Sequence, residues 1–491
     1  MSIRHQRSLY VTLVILGLLV FFSRAWLIEV WGSPVPYWDQ WDAEARDIYL
    51  PWLEHSLTWK AFFAGHNEHR ITLTRVVALA LFIVQDGWHP WTQLLLNAAL
   101  HAGTGVILVW LLARDFTGSF RVMLTFIVAA LFLCTAGWQN ALWGFQTQFY
   151  LAHLLALGAF AALARQAPLS GNWWLGVLAA ALVLIVNGGG LLVPASAVGG
   201  LLLGLLCDRT FPERRFWAAM GVLLAVTMVG VALRVEAPHH AELHATTLAH
   251  FWALFSRCLA WPFVQGMDVA FFVMQAPLAW LLLHRFRQRK PLTTAELIAV
   301  MIAIYTVLSA AAMAYSRGRA LYGVPPLSRY QDTLILGAAA QSFAIFRIAA
   351  EQGRRTRLLA AGWILILGVG LVALTRDNLA RRLPIKQIQD EGNLIMVRSY
   401  AMTGDASIFI SIPGFESPHP SKPENVALIM ADPVLKPYLP MELTQPQGTP
   451  FNHPFLIRHS RMLTLIFGGL FVLSLLWPFA RNSRSNPLPK T

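Results

Sequence analysis

The chain has 491 residues, 56% of them hydrophobic and 13% charged. A soluble chain of this length carries about 25% charge, so this balance, with a mean hydropathy of +0.53, excludes an ordinary soluble enzyme. The net charge of +13 does not mark a nucleic-acid binder. Its basic residues sit in short loops between apolar runs, as positive-inside sorting requires. The three cysteines, Cys134, Cys207 and Cys258, are scattered and match no metal spacing or disulfide framework.

The start, MSIRHQR, resembles the basic flank of a signal peptide. The apolar run from Leu9 to Trp31 continues without a small-residue cleavage site, so an uncleaved signal anchor is expected. Repeated runs of roughly 17–22 apolar residues then predict an all-α polytopic membrane protein. The runs are 9–31, 91–113, 122–137, 149–165, 173–187, 189–207, 216–235, 268–285, 296–315, 331–350, 357–375 and 461–480, which makes 12 transmembrane helices. The run 71–87 is an extra one. Counted as a span, it would put the basic clusters His284–Lys290 and Glu351–Arg357 outside. As an interfacial helix it leaves every strongly basic short loop on one side, with both termini cytoplasmic. The chain thus divides into a transmembrane module, 1–375, with a first extracytoplasmic loop at 32–90, and an extracytoplasmic segment, 376–460. A final helix and tail, 461–491, follow. The turn-rich strings IPGFESPHP and ADPVLKPYLP predict an irregular fold for 376–460 rather than long helices.

Four constellations carry possible chemistry. Asp39 and Asp42 are framed by Trp38 and Trp41 in the first loop. Their spacing puts both on one face of an α-helix, and a partly buried carboxylate there suits a general base acting on a hydroxyl. The plainer reading is that they solvate an interfacial helix and cap its start. Next comes the polar knot His66-Asn67-Glu68-His69-Arg70. Its His-x-x-His spacing around a carboxylate fits a divalent metal, but no third ligand is apparent, so polar substrate binding is favoured and no cofactor is expected. A structural role, with Arg70 paired to a carboxylate of the same loop, is the other reading. Gln139, Asn140, Trp143 and Gln146 lie in WQNALWGFQTQ. Amides bond sugar hydroxyls and indoles stack on sugar rings, while an aromatic belt would look the same. Finally, Arg317, Arg319 and Arg329, the last followed by Tyr330, suit the phosphate of a lipid carrier. Snorkelling to headgroups is their alternative.

Taken together these features resemble the integral-membrane glycosyltransferases of the GT-C superfamily. The resemblance rests on a first span, a first extracytoplasmic loop bearing WDQWD, interfacial helices, many further spans and a C-terminal extracytoplasmic part. The strings HNEHR, WQNALWGFQ and SRY also resemble a group of bacterial predicted GT-C proteins. Lipid A aminoarabinose transferases and protein mannosyltransferases share the layout. Their acidic motif and following His-x-Lys-Pro-Pro-type string occupy the places of Asp39/Asp42 and His66–Arg70, and this chain lacks the Lys-Pro-Pro string. The resemblance covers residues 1–350. It implies transfer of a sugar, with inversion, from a polyprenyl-phosphate carrier to a glycan, lipid or protein acceptor, in cell-envelope modification. The setting implied is the outer face of a bacterial inner membrane. Asp39 or Asp42 would be the base, Arg317, Arg319 or Arg329 would receive the departing phosphate, and no metal is required. A transporter or flippase of a lipid-linked saccharide and a polysaccharide polymerase or ligase are the other readings. For a flippase, charge inside the spans is sparse, with Arg24 and Glu29 in the first run and little elsewhere.

Overall fold

The computed structural model describes residues 3–208, 213–264, 268–411 and 416–482. Among these, eight helices are long and apolar enough to cross a membrane. They are Arg7–Trp31, Pro90–Asp115, Gly144–Arg165, Arg214–Ala232, Val269–Gln288, Thr294–Arg317, Ser328–Gln352 and the first part of Arg354–Thr403. The chain is therefore an all-α polytopic membrane protein. Helices are the only way a single apolar segment satisfies its own backbone in lipid. Shorter apolar helices, Gly118–Leu133, Gly171–Ile185, Leu192–Asp208 and Ser460–Leu476, occupy the other four predicted runs. The extra run folds as Thr72–Val84, a helix of 13 residues. At about 1.5 Å per residue it falls well short of a bilayer core of about 30 Å.

The helix ends sort onto two faces. On one, Asp115 bonds Thr293 (3.1 Å), Arg285 pairs with Glu296 and Glu351 (both 2.6 Å), and Arg347 reaches Glu296 (2.8 Å). Arg114 and Arg165 share the face of Trp110 there, at 5.8 and 4.4 Å from the ring centre. On the opposite face lie the far ends of the same helices: Trp31, Pro90, Gly144, Arg317 and Ser328. This second face carries the long loops and the candidate site.

Two departures from the sequence reading matter for the site. Residues 354–403 run as one helix of 50 residues, with a π turn at Asn378–Arg382. Its length is about 75 Å, so its second half lies outside any bilayer core. The expectation of an irregular 376–460 is thus corrected for its first third. Pro384 stands at the start of Leu383–Thr403, where the π turn makes a missing N–H harmless, and no further proline follows in that helix. The remainder, 416–459, is short turns and brief helices, as its prolines predict. In addition, the first loop and this segment share one apolar core. Trp41, Ile48, Tyr49, Phe82 and Trp88 are buried with Met396, Val426, Met430, Leu435 and Leu443. Backbone bonds from Trp38 to Pro418 and from Trp88 to Tyr438, both 2.8 Å, stitch the two together.

Candidate active site

The first loop turns at Trp38, whose φ of +48° is a conformation few L residues adopt. Two part-buried bonds hold the turn: the Tyr37 N–H donates to Gln40 (3.1 Å), and the Trp143 indole donates to the Tyr37 carbonyl (2.9 Å). Asp39 then stands at the head of a π-helix, Gln40–Tyr49, its side chain making no cap bond. Because its bonds run from i to i+5, residues three apart no longer share a face. Residues four and five apart do. Glu44 accepts from Gln40 at 3.2 Å and from Tyr49 at 3.3 Å, while Asp42 meets Arg46 at 3.3 Å. The expectation that Asp39 and Asp42 converge is therefore corrected, and the two carboxylates part.

Asp42 is buried and turned toward the C-terminal segment, where it meets Lys422 (2.8 Å), Asn425 (2.6 Å) and His419 (3.1 Å). Burial alone would raise its pKa, but His419, Lys422 and Arg46 outweigh it and hold the carboxyl far below the usual range. With its oxygens so occupied, Asp42 ties two segments together and is set aside as a base. Asp39 faces the other way, its Oδ1 lying 3.1 Å from His66 Nε2.

His66 is carried by the polar knot, which folds as a minimal hairpin. Gly65–His66 pairs with His69–Arg70 across the turn Asn67–Glu68, with Asn67 at φ +50°. Asparagine tolerates this region better than most side chains. Each member has a different neighbour. Glu68 takes both arms of Arg317, at 2.9 Å each, and accepts from His240 Nδ1 at 2.9 Å. Burial opposes ionisation here, yet the Arg317 bonds win and hold the carboxyl at about 2. His69 accepts from the Gly188 N–H at 3.0 Å through Nδ1, so its own proton sits on Nε2. Burial lowers it to about 4, leaving a neutral ring. A Cβ at Gly188 would collide with that ring, which accounts for one glycine of the Asn187–Gly190 turn. Arg70 bonds the carbonyls of Phe63 (2.5 Å) and Leu233 (3.2 Å), not a carboxylate as expected.

The arginines separate as well. Arg317 is locked to Glu68 and also donates to the Ser316 carbonyl at 2.9 Å. Arg319 is exposed. Arg329 lies over the Tyr330 ring at 5.2 Å, and its guanidinium has no hydrogen-bond or ion-pair partner among the described residues. Its backbone is pinned: its N–H donates to Gln139 Oε1 (3.1 Å) and its carbonyl accepts from Asn140 Nδ2 (2.8 Å). Asn140 also bonds Asp332 at 2.8 Å and is fully buried, and Gln146 is buried too. Reading these two as sugar contacts is therefore corrected, since both are enclosed by protein and neither lines the open cavity. Gln139 and Trp143 do line an open cavity of about 540 Å³ beside Tyr37.

Tyr37 links the two halves of the site. Burial keeps its phenol protonated, and the charges of Asp39 and Arg329 both act on it, as do Asp390 and Glu416. Asp39 and Arg329 thus both lie near enough for their charges to act on one residue, although they come from the first loop and from the start of the helix Ser328–Gln352.

Several participants escaped the sequence reading. Glu44 is wholly buried and accepts from Gln93 at 2.8 Å as well as from Gln40 and Tyr49. Burial raises it to about 7, more than those bonds lower it. A lone glutamate between alanines in a polar loop carries no mark of this. Arg24 bonds His101 (3.0 Å) and the carbonyls of Phe132 and Cys134, and His101 lies 4.0 Å from Asp332. The pattern of polar residues within apolar runs at 24 and 101 was the available signal.

Comparison of the chain with protein-family models, with curated proteins and with solved structures returns no match.

Proposed function

We propose that this protein is an inverting glycosyltransferase that moves a sugar from a polyprenyl-phosphate carrier to an acceptor at the outer face of a bacterial inner membrane. The observation that carries the reading is the pair Asp39 and Arg329, a carboxylate 3.1 Å from His66 and an unpaired guanidinium, whose charges both act on Tyr37. Inverting transfer needs one base and one anion receiver. The acceptor hydroxyl gives its proton to Asp39 as its oxygen forms a bond to the anomeric carbon. The bond from that carbon to the phosphate oxygen breaks through an oxocarbenium-like state, as in glycoside hydrolysis. The leaving polyprenyl phosphate gains negative charge, which Arg329 meets in place. His66 keeps the Asp39 carboxylate aimed, and the Glu68–Arg317 lock keeps His66 where it is. The chemistry asks nothing of a metal, because the leaving group is a monophosphate already anchored in lipid.

Twelve spans in a GT-C-like arrangement, with both termini cytoplasmic, form part of the same proposal. The sorting of helix ends supports it, since the Arg285, Arg347 and Arg114 clusters gather on the face opposite Asp39. The flippase reading draws on one observation, the buried Arg24–His101–Asp332 cluster. Its groups bond one another and nearby carbonyls, which suits a tie between helices better than a path.

The test reconstitutes the full chain in liposomes with polyprenyl-phosphate-linked radiolabelled hexoses and reads release of polyprenyl phosphate. Wild type releases it in the presence of a membrane extract supplying acceptor, and Asp39→Asn does not, at equal protein level. Normal release by Asp39→Asn, or movement of intact donor across the bilayer without release, overturns the proposal.

A further inference from the structure

The 540 Å³ cavity falls within the range of small-molecule sites, about 300–1,000 Å³, and opens where the 50-residue helix leaves its membrane half. Its wall holds many charges, yet most are already neutralised. Lys386 pairs with Asp390, and Arg382 and Arg381 reach Asp377 at 3.6 and 3.7 Å. Other wall groups are used up too: Gln331 is bonded at both ends, to Trp261 (3.1 Å) and to the Pro326 carbonyl (3.0 Å).

The remaining hydrogen-bonding capacity is neutral. Among the described residues, the Tyr37 hydroxyl, the Trp138 indole N–H and the Gln139 amide nitrogen have no partner. The Asn378 and Gln389 side-chain oxygens are open as well, since only their nitrogens are engaged, with Thr135 (3.0 Å) and the Glu416 carbonyl (2.7 Å). These donors and acceptors share the wall with three aromatic rings, Tyr37, Trp138 and Trp143. Glu416, exposed at the rim, is the one unpaired charge in the wall among the described residues, and it is negative.

We propose that this cavity binds a neutral saccharide. Its rings stack on the apolar face of a sugar, its free amides and hydroxyl bond the sugar hydroxyls, and the Glu416 carboxylate turns away uronic acids and phosphosugars. On the transfer reading, on which this assignment of role rests, the bound saccharide is the acceptor. The binding itself does not depend on that reading.

Saturation-transfer-difference NMR on the full chain in lipid nanodiscs tests the site. The probes are the methyl glycosides of glucose, galactose, mannose and N-acetylglucosamine, with methyl glucuronide as the charged control. At least one neutral glycoside shows transfer, and the glucuronide binds at least about tenfold more weakly. Gln139→Leu weakens the neutral probe about tenfold, the worth of one net hydrogen bond. Trp138→Ala abolishes it, and Trp138→Phe, which keeps a ring for stacking, retains most of it. Asp39→Asn keeps full binding, so loss of transfer with retained binding separates the two proposals. Binding of no neutral glycoside, equal binding of the glucuronide, or full binding in both Gln139→Leu and Trp138→Ala overturns the assignment.

Discussion

Replacing Glu68 with glutamine removes the charge that anchors the hairpin while keeping its shape. The carboxyl sits at about 2 against an ordinary 4.5, a preference for the charged form worth about 3 kcal/mol. The Glu68 side chain is 22% exposed, so solvent screening trims this to about 2 kcal/mol. Because the folded-state pKa is depressed, this stabilisation is complete above pH 4.5 and is lost as pH falls toward about 2. At pH 7 the loss in Glu68→Gln is therefore full. It falls on one hairpin, not on the whole bundle, so local opening is the proper readout. Hydrogen exchange followed by mass spectrometry on the full chain should show peptides over 65–70 opening about 30-fold more often. Peptides in Ser328–Gln352 should exchange as in wild type, since that helix is pinned independently through Gln139 and Asn140. Sugar transfer should fall with the hairpin, because His66 loses its fixed seat beside Asp39. Unchanged exchange over 65–70 would refute the claim that Glu68–Arg317 holds the site together.

Other changes separate the remaining parts. Glu44 titrates in the opposite sense: burial raises it to about 7, so the folded chain keeps a proton that an unfolded chain releases near 4.5. Thermal stability of the wild type should therefore decline between pH 4.5 and about 7, and Glu44→Gln should flatten that slope. Arg329→Gln should raise the KM for the polyprenyl-phosphate donor about tenfold or more, as expected for one lost charged contact, whereas the exposed Arg319→Gln should leave it alone. Equal effects of the two would sink the distinction between them. Gly188→Ala drives a methyl into His69 and should lower the melting temperature measurably, with hairpin exchange rising as in Glu68→Gln.

Much of the architecture was legible in the sequence, and the reasons are physical. Apolar run length reports directly on membrane crossing, and charge bias reports on which loops share a face. Both are local properties summed over many residues. The site was legible only as a set of segments. That His66 faces Asp39 depends on how the first loop folds back on itself, and that Glu68 meets Arg317 on packing against a distant helix; no spacing encodes either. The Asp39–Asp42 pair shows the opposite problem: the spacing argument was sound for an α-helix, but a π-helix changes the angle per residue and sends the two apart. Asn140 was read as a sugar contact because amides beside tryptophans suit sugars, and the same amide serves equally well to fasten the start of a buried helix. Glu44 gave no sign, since its unusual proton affinity comes chiefly from being enclosed, with the Asp39 charge adding to it.

The apolar core shared by the first loop and residues 396–443 has a consequence for how the protein is made. Trp41, Tyr49 and Trp88 are made early in synthesis, but the side chains that cover them are translated much later. Until Met396, Val426 and Leu443 arrive, the loop that carries Asp39 has an uncovered greasy flank and no Lys422 or Asn425 for Asp42 to grip. A nascent or truncated chain thus holds every residue of the proposed reaction and still lacks a finished site. On the transfer proposal, competence would arrive only with this later segment, and interrupted chains are left recognisable to proteases by the surface they fail to hide.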